Sequence, residues 1–222
     1  MTDMLTTPRP VPSAAPASRS AARWAVVGGA AAGPLFLVAG LVQGVARDGF
    51  GFTRNAISQL ALGDAGWIQT ANFVLTGLLL FAGATGLRRT LRGGPGATWG
   101  PALVGVFGVS FWVAAAFPAD AGAGFPVGSP DATAMSGHGA VHMLGGMVGY
   151  LALCAAFVVL ARPLASRGLR GWAVASRLVP VAVLAGFTAS AASVLAFTAG
   201  AGLGLLWLSA VTARLAGAAA GR

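Results

Sequence analysis

From residue 24 to about residue 45 the chain runs without a single charged side chain. A helix needs about 20 apolar residues to cross the hydrocarbon of a bilayer, whereas the core of a signal peptide is only about 7–15 residues long. The run therefore predicts a membrane-spanning helix. Five more follow, at about residues 67–87, 99–117 and 138–160, with two sharing 172–216. In that last stretch Pro180 and several glycines blur the helix ends, and the sequence places the turn near 198–202. The expected fold is all-α: a polytopic membrane helix bundle of about six transmembrane helices.

Composition excludes a water-soluble domain. Hydrophobic residues make up 56% of the chain and charged residues 9%, with a mean hydropathy of +0.79; soluble domains carry about 25% charge. The net charge of +9 could suggest nucleic acid. That reading needs a basic patch on a folded soluble face, and here the arginines stand between apolar segments, so no nucleic-acid partner is expected. The single cysteine, Cys154, lies inside an apolar run and can form no intramolecular disulfide. Residues 1–22, rich in Pro, Ser, Thr and Ala, read as a disordered cytoplasmic tail. Residues 23–217 form a single six-helix domain, and 218–222 a short cytoplasmic end.

Arginine placement sets the expected orientation. Twelve of the fourteen basic residues, all arginine, fall in the tail, the second and fourth connections and the C-terminal end. Arg47 and Arg54 alone lie on the other side, beside Asp48, Asp64, Asp120 and Asp131. Positive charge accumulates on the cytoplasmic side, so both termini are expected in the cytoplasm. An odd number of spans would split the arginines between the two sides. Gly29 and Gly33, Gly40 and Gly44, and Gly145 and Gly149 recur at the spacing that lets helix backbones approach in lipid. Packing within the bundle is the simpler reading; a homo-oligomer face is the alternative, with membrane lipid the other expected partner. The string GAGLG near Gly200 is no dinucleotide fingerprint, because no strand precedes it.

Polar residues gather on the outer side, in the two long connections 46–66 and 118–137. Both histidines of the chain, His138 and His142, stand one helical turn apart and so share a face. Asp120 follows the third helix at the same level. Asn55 and Ser58 lie in the first outer connection, and Asn72 is one turn into the second helix. Two imidazoles and a carboxylate could hold a zinc-like divalent metal with one position open for water. Such a centre would suit a hydrolase acting on a lipid or amphiphile at the outer leaflet, with Asp120 and Ser58 as catalytic candidates. With no glutamate in the chain the HExxH arrangement is excluded. Cys154 would sit about 18 Å deeper than His142 and cannot join them. The purely structural alternatives are equally concrete. Ser136 is a suitable N-cap for the fourth helix, a histidine at a helix mouth can bond a loop carbonyl, and Asp120 can hold a helix start or pair with Arg54. Asn72 reads first as an interhelical hydrogen bond. A non-enzymatic membrane protein, a small-molecule carrier or partner-binding bundle with a polar outer-face pocket, is the competing function. Trp67, Trp99 and Trp172 read as interface anchors.

The runs NAISQLALGDAGWIQTANFVLTGLLL, GLRRTL, WGPALVG, AAAFPAD, GFP and HGAVH, in this order, resemble the bacterial family known as domain of unknown function 998, over about residues 24–215. The resemblance implies a multi-pass inner-membrane protein of about six helices, without an assigned activity. A more distant similarity is to alkaline ceramidases and progestin-receptor-like proteins, which place a serine, an aspartate and three histidines around zinc in seven helices. Ser58, Asp120, His138 and His142 would play comparable parts, but one histidine and one helix are missing.

Overall fold

The computed structural model describes residues 16–132 and 134–220, with side chains from 24 to 218. It contains six helices long and apolar enough to cross a membrane: α1 (Pro16–Ala46), α2 (Gly66–Thr90), α3 (Trp99–Ala116), α4 (Gly137–Ser166), α5 (Arg170–Thr188) and α6 (Val194–Ala220). The described residues hold no strand; a 3-10 turn, Ile57–Ala61, lies between α1 and α2. Each helix packs against its neighbours in the chain, and α6 closes the ring against α1.

Two sets of side-chain bonds define the ends of the bundle. At one end Arg167, just past α4, donates to Leu215 O at 3.0 Å and to Thr90 O at 3.3 Å, joining the ends of α6 and α2 to the α4–α5 connection. At the other, Gln59 donates to Asp120 O at 3.1 Å and Asn55 to Gly122 O at 3.2 Å, tying the α1–α2 connection to the α3–α4 connection. The first end holds Arg88, Arg89, Arg92, Arg162, Arg170, Arg177 and Arg214, whereas Asp48, Asp64, Asp120 and Asp131 all belong to the second. The helices alternate in direction, so the bundle carries the charge asymmetry of the sequence.

Glycine lets the ring close. A Cβ on Gly83 of α2 would stand 2.6 Å from the Gly29 Cα of α1, and one on Gly33 would stand 2.7 Å from Leu205 O of α6. Gly145 and Gly149 face Val113 and Ser110 of α3, while Gly40 and Gly44 face Ile57 and Phe52 of the outer connection. The glycine pairs are thus used against the chain itself, by the close-approach packing that lipid favours. Leu80, Leu87, Phe107, Phe157 and Leu160 fill the buried interior between them.

Two expectations need correction. The final turn falls at residues 189–193, and residues 198–202 lie inside α6. Gly200 is a packing residue, its Cβ position 3.1 Å from the Gly186 Cα of α5. The real break is begun by Ser193, whose hydroxyl accepts from Ala196 N at 3.2 Å and caps α6. At the other terminus, α1 already runs from Pro16, so the last part of the expected disordered tail is helical. Proline is well suited to a first helical turn, and the alanines after it are strong helix formers. Residues 1–15 lie outside the described residues.

Candidate functional site

The outer rim is assembled from backbone ends that need partners. Helix α4 begins at Ser136, whose hydroxyl accepts from Gly139 N at 3.0 Å. Asp120 completes this start: its carboxylate accepts from Ser136 N at 2.9 Å and from the Ser136 hydroxyl. A carboxylate here also meets the positive end of the helix dipole. Gly139 leaves room for it, since a Cβ there would collide with the Asp120 carboxylate. The Ser136 hydroxyl, and after it the Ser136 N–H, hold the Asp120 carboxyl below the usual carboxylate range. Partial desolvation opposes this, and the nearby His142 and His138 rings add to it.

The two histidines part company one turn further on. His138 is exposed and packs edge-on against Phe117 at 5.5 Å. His142 is buried, with Nδ1 2.8 Å from Phe117 O, the backbone cap of α3. A carbonyl only accepts, so Nδ1 carries the proton, and whenever the ring is neutral Nε2 is left as an acceptor. Asp120, His138 and His142 therefore share one rim. Among the described residues, however, no three His, Cys, Asp or Glu side chains are grouped to hold a metal ion. Asp120 is engaged by Ser136, and His142 keeps one ring nitrogen.

Below the rim lies a cavity of about 370 Å³, within the ~300–1,000 Å³ range of small-molecule sites. All six helices line it. Its wall is a chain of aromatic rings: Phe36 of α1 meets Phe111 of α3 at 5.2 Å and Phe73 of α2 at 5.5 Å. Behind this wall Phe107, fully buried, links Phe111 to Tyr150 of α4, each at 5.1 Å. Phe187 of α5 stands 4.9 Å from both Tyr150 and Phe197 of α6. Tyr150 OH donates to Ala201 O at 3.4 Å. By helix rise, Tyr150 sits about 20 Å below the start of α4, so the cavity spans the outer half of the bundle. Its polar lining is sparse and mostly near the mouth: Ser58, His142, Ser190 and Thr198, with Ser110 deeper. Met143 and Met147 on its α4 wall are exposed, so the cavity is open rather than sealed.

The family described as protein of unknown function (DUF998) matches residues 30–220, nearly the whole chain. The chain belongs to this family. No curated protein and no solved structure matches it.

Within this DUF998 chain the other sequence candidates divide clearly. Ser58 lines the cavity mouth, in the company of His142. Asn55, fully buried, holds the outer connections together, accepting from Gly51 N at 3.0 Å and donating to Gly122 O. Asn72 donates to Phe36 O at 3.2 Å, an α2-to-α1 bond, and to Gln69 Oε1 at 3.2 Å. Gln43 of α1 donates to the same Gln69 oxygen at 2.8 Å. Sequence reasoning passed over Gln59, which ties the outer connections, and over Gln43 and Gln69, although glutamines in apolar runs signal interhelical bonds. It also passed over the aromatic chain, because each ring sits alone in its own apolar run.

Proposed function

We propose that this DUF998 protein is a non-enzymatic multi-pass protein of a bacterial inner membrane that receives a lipid-like amphiphile from the outer leaflet. The observation carrying this reading is the aromatic cavity of about 370 Å³ beneath a sparsely polar mouth. Aromatic walls with a few polar groups at one end suit a ligand with an apolar body and a polar head. The body would occupy the space between Phe36, Phe111, Tyr150 and Phe197, and the head would meet His142 Nε2 and the Ser58 hydroxyl. The exposed Met143 and Met147 give an apolar ligand a flexible flank to enter by.

The rim favours binding over hydrolysis. A metal-dependent hydrolase would need the Asp120 carboxylate to leave the start of α4 and His142 and His138 to converge on one ion.

Gly146 supplies the test, because it lines the cavity and a Cβ there meets nothing within 4 Å. Gly146→Leu should fill the space without disturbing the fold. Wild-type protein purified in mild detergent should retain an extractable amphiphile that Gly146→Leu lacks, at an unchanged thermal midpoint. Equal retention by both, or none by either, counts against the reading. Metal analysis of wild type beside His138→Ala/His142→Ala addresses the alternative: stoichiometric zinc lost in the variant would favour the hydrolase.

A further inference from the structure

A second cavity lies on the outside of the bundle, at the arginine-rich end. Helices α2 and α3 approach closely at Gly77 and Gly108: a Cβ on Gly108 would stand 3.2 Å from Leu80 Cβ and 3.3 Å from Gly77 O. Trp112 seals the outer side of this crossing, donating from its indole to Val74 O at 3.2 Å and tilting over Phe81 at 6.0 Å. Towards the arginine-rich end the helices leave a groove of about 440 Å³, floored by Ala84, Pro101 and Gly105, flanked by Ala102 and ending at Arg88. Gly105 contributes to the width, since a Cβ there would meet nothing within 4 Å. From Phe81 to Arg88 the groove runs about 10 Å along the helix.

Its location decides what can fill it. Phe81 and Val109 on its walls are exposed to the surroundings of the bundle, which are hydrocarbon at this depth, and an unfilled groove forfeits contact energy. An acyl chain therefore fits the groove. Arg88 stands exposed at its end, with Arg89 beside it, Arg92 one turn on and the exposed Trp99 at the start of α3. Among the described residues every carboxylate belongs to the opposite end of the bundle, so no acidic side chain answers these guanidiniums. A guanidinium fork matches phosphate geometry, and arginine clusters beside transmembrane helices recruit anionic headgroups.

We propose that the α2–α3 groove is a binding site for an anionic phospholipid, its acyl chain lying along Ala84, Ala102 and Gly105 and its phosphate held by Arg88. This site is separate from the aromatic cavity, and neither depends on the other.

Native mass spectrometry of protein offered a mixture of phosphatidylglycerol and phosphatidylcholine tests the assignment. Wild type should retain phosphatidylglycerol in preference. Arg88→Gln should cut that preference by about tenfold, the value of a charge-assisted phosphate contact. Gly105→Leu should lower retention of both lipids while the thermal midpoint holds. Arg177→Gln on α5, which removes equal charge elsewhere, should behave as wild type. Inorganic phosphate should fail to displace the lipid, because it brings no acyl chain. The proposal is overturned if Arg88→Gln retains phosphatidylglycerol as wild type does, if Arg177→Gln loses as much as Arg88→Gln, if Gly105→Leu changes nothing, or if phosphate competes.

Discussion

At the scale of single residues, the start of α4 shows how one side chain can be read two ways. His138, His142 and Asp120 have the types and spacing of a metal site, and they do share a rim. The sequence left Asp120 with two roles, a metal ligand or the holder of a helix start; Ser136 takes its carboxylate through both N–H and hydroxyl. A pH prediction follows. The folded-state pKa of Asp120 lies below the usual value, so the stability it supplies is complete above the unfolded-chain value of about 3.9 and disappears as pH falls through the folded one. Thermal midpoints of detergent-solubilised wild type and Asp120→Asn should differ at pH 7 and converge as pH drops below about 4. A gap that persists undiminished at low pH would mean the carboxylate's charge is irrelevant. Ser136→Ala, which removes the N-cap hydroxyl, should cost about 1 kcal/mol at neutral pH.

At the scale of helices, the apolar runs were legible because length alone distinguishes a span. Helices α2 and α3 begin within one residue of Trp67 and Trp99, and α4 begins just after its Ser136 cap, whereas α1 starts at Pro16, well before Trp24. The last hairpin was misplaced because glycine means different things in water and in lipid. In a soluble chain the glycines near 198–202 would signal a turn; in this bundle Gly200 and Gly186 let α5 and α6 touch. The true break, ASAAS, contains neither glycine nor proline. The same logic separates glycines that must stay from those that can change. Gly83→Leu would drive a side chain into the Gly29 backbone, which cannot swing aside, and should destabilise by about 3 kcal/mol. Gly105→Leu and Gly146→Leu make the same chemical change where the first added carbon meets nothing within 4 Å, and should leave the unfolding midpoint within error of wild type. Equal losses at all three positions would show that helix–helix contact does not decide the outcome.

At the scale of the whole molecule, the arginine asymmetry assigns each cavity to a leaflet. The aromatic cavity opens at the end that carries Asp48, Asp64, Asp120 and Asp131, and the Arg88 groove lies at the other. If positive charge stays inside, the first draws on the outer leaflet and the second on the inner, so the two sites are offered different lipids. An inverted insertion would exchange them and take the aromatic cavity away from the outer leaflet. Two engineered cysteines in a Cys154→Ala background measure this. Asp131→Cys should react with a membrane-impermeant maleimide in intact cells, while Arg92→Cys should react only after permeabilisation, both positions being exposed. The reverse pattern would place the aromatic mouth in the cytoplasm, where an outer-leaflet amphiphile could not reach it. Labelling of both in intact cells would contradict the single crossing, α3, that separates them, and with it the antiparallel ring that brings Arg167 to Thr90 and Leu215.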